Sequence, residues 1–207
     1  MYACRHDKQY TAEFLDLFEA YTKNTPSWDG PIDGSDVWYP SQVEGFEYPY
    51  FYNRTYVHFL PGGYLNGNTV RVSYNGKTKF SFLNETRIKE WIVDLHGDKE
   101  APQTILDVGT GGRFSAFALG EVYPEARVIG VDMAPSYIRF CNAWKEVRGA
   151  NNVEFYHGTG EDLHFLETES IDFINFAYVL HEMPGGNAKA IVDEMFRLLS
   201  PGGQLNG

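Results

Sequence analysis

The chain has 207 residues, 43% hydrophobic and 16% aromatic, enough for one large domain with a packed core and inconsistent with disorder throughout. A net charge of −11 repels phosphate backbones and anionic membrane surfaces, which argues against a nucleic-acid substrate. No apolar run approaches the roughly 20 residues that span a bilayer, and charges stand where a signal peptide would be apolar. Cys4 and Cys141 form neither a CxxC pair nor a metal-ligand spacing. A cytoplasmic protein with solvated thiols and no metal site is expected.

In chain order, a helix is expected over 11–23, where Phe14, Leu17, Phe18 and Tyr21 recur at helical spacing. The stretch 26–68 is dense in Gly, Pro, Trp and Tyr, without a period of two or 3.6; it reads as irregular structure that buries rings. Alternation in 69–74 and 77–82 around Asn75-Gly76 predicts a β-hairpin, because both turn residues need positive φ. Asn84 then caps a helix with Ile88, Trp91, Ile92 and Leu95 as its apolar face, and Gly97 ends it. Residues 97–102 form a polar linker.

Beyond it the texture changes to strand–helix alternation, the mark of a doubly wound, mostly parallel α/β sheet. Strands are expected at 104–108, 127–131, 152–156 and 171–178, and helices at 114–122, 135–148 and 188–199. Two regions follow: an aromatic-rich N-terminal segment, 1–100, and an α/β domain, 101–207.

The first strand runs into Asp107-Val108-Gly109-Thr110-Gly111, a turn where glycines let the backbone bend and approach a ligand. The dinucleotide fingerprint GxGxxG requires glycine at 114, which is Phe114, so a nicotinamide-dependent oxidoreductase is disfavoured. Asp-x-Gly-x-Gly instead resembles the first motif of class I (Rossmann-like) S-adenosylmethionine-dependent methyltransferases, although Arg113 stands where a third glycine is usual. The alternative is a glycine turn that merely packs.

Order and spacing extend the resemblance. A second strand ends in Asp132, about 20 residues past the glycines, where a carboxylate can accept from vicinal ribose hydroxyls; the alternative is a helix cap. Gly158-Thr159-Gly160-Glu161-Asp162-Leu163-His164-Phe165 is similar to the segment that reads adenine in small-molecule methyltransferases, with Thr159 in place of its acid. A fourth strand from Ile171-Asp172 leads to Leu180-His181, and Pro201-Gly202-Gly203 resembles the turn before a fifth strand. The nearest subgroup is the ubiquinone-biosynthesis-like (type 11/25) methyltransferases, over residues 104–203 only.

The resemblance implies methyl transfer from S-adenosylmethionine to a small-molecule acceptor. It places Asp107 at the cofactor's ammonium, Gly109, Thr110 and Gly111 against its methionine and ribose, and Met133 over adenine. Gly160, Glu161 and Phe176 join these as cofactor contacts, and His181 is the candidate general base for the acceptor proton. Asn175-Phe176-Ala177-Tyr178 lacks the prolines of nucleic-acid amino-methyltransferases. The rival reading is a non-catalytic binding protein on the same fold. It draws on the chain ending at Gly207, where the fifth strand should only be starting. An incomplete sheet is expected to expose the apolar fourth strand as an edge prone to self-association.

Overall fold

The computed structural model describes residues 48–52, 85–97, 99–111 and 114–207. The helix expected over 11–23, the hairpin around Asn75-Gly76, the Asn84 cap, Arg113, Cys4 and most of the aromatic stretch lie outside these residues. The elements in order are α1 (Glu85–His96), β1 (Thr104–Val108), α2 (Phe114–Val122), β2 (Arg127–Asp132), α3 (Pro135–Arg148), β3 (Val153–His157), β4 (Ile171–Asn175), a 3₁₀ turn (Leu180–Glu182), α4 (Gly185–Leu198) and β5 (Leu199–Asn206).

The strands form one parallel sheet in the order β3-β2-β1-β4-β5. Alternation along each strand gives the sheet two apolar faces, as a parallel sheet covered on both sides requires. Ile105, Val128, Val153, Phe155 and Phe173 pack with residues of α1, α2 and α3 on one face. Leu106, Val108, Ile129, Val131 and Ile174 pack on the other face with Ile191, Met195 and Leu198 of α4. Each fully buried aliphatic side chain contributes about 1.5–3 kcal/mol to this core.

Helix α2 is buried from Ala116 to Leu119, and apolar all round because the sheet covers one side and α1 the other. Its carboxyl end meets the Asn152 amide, which donates to the carbonyls of Gly120, Tyr123 and Ala126. The apolar face expected for α1 is narrower than its spacing suggested: Ile92 is buried and Ile88 partly so, whereas Trp91 and Leu95 are exposed. A helix whose main neighbour is one other helix buries a narrow stripe, here the i, i+4 pair. Gly97 ends α1 as expected, at φ +60° with its N–H donating to the Val93 carbonyl.

At the amino ends of the strands, Asp172 acts as a staple. Its Oδ2 accepts from the amides of Gln103 and Thr104, both at 2.9 Å, and its Oδ1 from the Ser200 hydroxyl at 3.1 Å. One side chain of β4 thus fastens the starts of β1 and β5.

Three expectations need correction. Strand β4 ends at Asn175, not near 178, because the chain turns away through Tyr178, whose φ is +64°. That conformation costs a non-glycine residue roughly 1–2 kcal/mol. Nor is β4 an exposed edge. After Ile171 pairs with Leu199, Ser200-Pro201-Gly202-Gly203 bulges with Gly202 at φ +87°, and Gln204, Leu205 and Asn206 pair with Phe173, Ile174 and Asn175. The premise for self-association through β4 is therefore gone, and β5, carrying Pro201 and Gln204, is the strand beyond it. Finally, Cys141 is not a solvated thiol; it is fully buried on α3.

Candidate functional site at the carboxyl ends of the strands

The turn after β1 is stitched across β2. Gly109 and Thr110 both donate their amides to the Val131 carbonyl, at 2.8 and 3.1 Å, and the Gly111 amide donates to Asp132 Oδ2 at 2.7 Å. The Cys141 thiol donates to the Gly111 carbonyl at 3.4 Å. Gly109 and Gly111 stand at φ +68° and +54°, where a Cβ is costly. A Cβ on Gly109 would also come within 2.5 Å of the Val179 side chain. The turn's amides are thus engaged by the protein, and the Val179 side chain packs where a Cβ on Gly109 would stand.

Asp132, the last residue of β2, uses both oxygens: Oδ2 takes Gly111, and Oδ1 takes the Ala134 amide at 2.8 Å just before α3. Both of these contacts of the partly exposed carboxylate are to backbone amides, as the helix-cap reading expects. It shapes the turn through Gly111 and the entry to α3 through Ala134.

Asp107 lies deeper, at 1% exposure. Its carboxylate accepts from the Ser115 hydroxyl of α2 at 2.6 Å and the Asn175 amide of β4 at 2.5 Å. Asn206 of β5 in turn donates to Asn175 Oδ1 at 2.7 Å, so a polar row runs across three strands. Burial pushes the Asp107 carboxyl above its usual value, against the opposing pull of donors from Ser115, Thr110, Asn175 and the Ala116 amide. The row needs room, which Gly130 provides: a Cβ there would lie 2.8 Å from the Phe155 ring and 3.1 Å from the Thr110 hydroxyl.

The remaining expected residues fall into separate settings. Met133 is half-buried, and its carbonyl faces His157 Nε2 at 2.9 Å. Gly160 is a close-packing position, since a Cβ would come within 2.5 Å of Val108. Glu161 accepts from the Asn187 amide of α4 at 3.0 and 3.1 Å. Phe176 is buried, continues the ladder by donating its amide to the Asn206 carbonyl at 2.9 Å, and lies beneath Gly207. His181 is 54% exposed on the 3₁₀ turn, 3.7 Å from the Glu182 carboxylate and edge-on to the Tyr178 ring.

The sequence reading does not assign Ser115, Asn206 or His157, treats Asn175 only as part of a rejected amino-methyltransferase motif, and places Tyr48 only within the ring-burying stretch 26–68. His157 was open to the same rule that found Asp132, a polar residue closing a buried strand. Asn175 was not, because its meeting with Asp107 depends on strand register.

A methyltransferase domain model matches residues 99–206, just over half the chain. The arsenite methyltransferase of Halobacterium salinarum is 35% identical over 104 residues, 50% of this chain and 26% of that protein. The demethylmenaquinone methyltransferase of Thermus thermophilus is 32% identical over 125 residues, 60% of this chain and 54% of that protein. The chain thus spans about a quarter to a half of these relatives' lengths. A crystal structure from Methanococcus maripaludis superposes with TM-score 0.55 at 19% identity, covering 67% of this chain and 59% of that one, a likeness of fold. With the strand order, the glycine turn and the acid ending β2 all in their expected places, the chain belongs to the methyltransferase domain family and carries its class I, Rossmann-like fold.

Proposed function

We propose that the protein transfers a methyl group from S-adenosylmethionine to a small-molecule acceptor. The observation that carries this reading is the hydrogen bond from Gly111 to Asp132, which holds the Gly109-Thr110-Gly111 turn and a partly exposed carboxylate side by side at the carboxyl ends of β1 and β2. Ligands of open α/β sheets bind there. The residues fit this cofactor: the carboxylate suits a ribose diol, and the absence of a Cβ at Gly111 suits close backbone approach. When bound, the cofactor supplies a methyl on a sulfonium, open to in-line displacement by the acceptor.

The chain's own part is binding, orientation and proton handling. Asp132 holds the ribose side and Met133 covers the adenine. Asp107, buried behind the turn, sets the position of α2 and β4 around the cofactor's amino-acid end. Gly160 and Glu161 border the adenine side, and Phe176 backs the loop that follows β4. Orienting acceptor and methyl in line contributes roughly 7–11 kcal/mol of barrier lowering. His181, exposed beside Tyr178, takes the acceptor's proton.

Residues 1–100 form the acceptor side in this reading, supported by the density of aromatic rings in 26–68. Enclosing rings there would exclude water from the transfer. The net charge of −11 supports a small molecule over nucleic acid. The two relatives act, by their names, on arsenite and demethylmenaquinone, both small molecules. Among the described residues no helix is long and apolar enough to cross a membrane.

The test is transfer of labelled methyl from S-adenosylmethionine to a panel of small hydroxyl, thiol and carbon acids. Turnover on at least one acceptor is expected. His181→Ala should lower kcat by about 100-fold, the lower range for general-base loss, with cofactor affinity unchanged. Cofactor binding without transfer to any acceptor would favour the non-catalytic reading.

A further inference from the structure

The N-terminal aromatics meet the α/β domain at one buried imidazole. His157 closes β3, in register with Asp132 on β2, and is fully buried. Its Nε2 lies 2.9 Å from the Met133 carbonyl and 3.1 Å from the Tyr48 hydroxyl. A carbonyl only accepts, so Nε2 carries the hydrogen, and the Tyr48 oxygen shares it as a second acceptor. The Tyr48 ring stands edge-on to the imidazole with centroids 5.7 Å apart, and lies parallel to Tyr52 at 5.5 Å and 2°. The intervening residues turn tightly, with the Tyr52 amide donating to the Pro49 carbonyl at 2.9 Å, and Phe51 and Tyr52 are buried.

The contacts form a continuous path. Tyr48 and Met133 meet at His157; Met133 follows Asp132, and Asp132 holds the glycine turn through Gly111. A phenylalanine at 157 would fill the volume but give neither acceptor its hydrogen. We propose that His157 is a positioning residue: it fixes Tyr48 across the carboxyl ends of β2 and β3, and the Tyr48–Tyr52 pair thereby walls one flank of the cofactor crevice. This rests on the methyltransferase reading above. His157 acts on cofactor affinity through Tyr48 and Met133, without touching the reacting atoms.

Calorimetric titration of the full chain with S-adenosylhomocysteine tests it. Tyr48→Phe removes the hydroxyl alone and should weaken binding about five-fold, the scale of one hydrogen bond, while the chain still unfolds in one cooperative transition. His157→Phe should weaken binding at least as much. The double variant should be no weaker than His157→Phe, because both changes break one link. His157→Gln, whose amide can still donate, should recover most of the affinity. Wild-type affinity in Tyr48→Phe, or fully additive losses in the double variant, would overturn the proposal and leave His157 as a partner of the Met133 carbonyl only. If His157→Phe does not fold, Tyr48→Phe and His157→Gln decide the matter. A wild-type chain that binds no S-adenosylhomocysteine removes the methyltransferase reading and this inference together. Wild-type binding with indifferent variants removes the inference alone.

Discussion

Asp172 at the amino end of the sheet and Asp132 at the carboxyl end are built alike and placed to opposite effect. Each accepts two backbone amides, Asp172 from Gln103 and Thr104, Asp132 from Gly111 and Ala134. Asp172 spends its remaining oxygen on Ser200 and joins strand starts that no glycine turn opens. Asp132 holds the Gly109-Thr110-Gly111 turn at the end where parallel strands feed their loops. In the proposed function the same chemistry is a fastening at one end and the frame of a site at the other, and sheet direction decides between them.

The difference can be broken from either side. Asp132→Ala should weaken S-adenosylhomocysteine 10- to 100-fold, the loss of charge-assisted hydrogen bonds of about 1.5–3 kcal/mol. Asp172→Ala should leave that affinity within about two-fold and lower unfolding stability by about 2 kcal/mol, by the same hydrogen-bond scale. Equal effects of the two substitutions on affinity would erase the distinction.

Asp107 sharpens the comparison through pH. Burial raises its folded-state value above 3.8, so the folded chain holds that proton more tightly than the unfolded one. Its contribution to stability is fully present below 3.8 and is lost as pH rises through the raised value. Asp107→Asn should therefore lose this pH dependence, its stability relative to wild type rising with pH across that window. The gap should close as pH falls below that window. Parallel denaturant-stability profiles across pH for wild type and variant would show no buried charge at work.

What the sequence made legible follows from which signals are local. Helices α2 and α3 match their expected bounds, because Pro135 marks a start and apolar spacing marks the lengths. Asp107, the glycine turn, Asp132 and Met133 come together because adjacent parallel strands place them in neighbouring register. The overrun of β4 was not legible: the apolar residues after Asn175 continue the strand's composition, while the backbone departs at Tyr178. Alternation also gave no sign of the bulge at Gly202, which brings β5 back beside β4. Tyr48 and His157 are 109 residues apart and met only in three dimensions.

The central claim is that the turn from Asp107 to Gly111, framed by Asp132, is a site for a sulfur nucleoside. Isothermal titration of the chain with S-adenosylhomocysteine and, separately, with NAD tests it most directly. The account predicts saturable binding of S-adenosylhomocysteine with unit stoichiometry and no heat from NAD. Tight NAD binding with no response to S-adenosylhomocysteine or S-adenosylmethionine would contradict it.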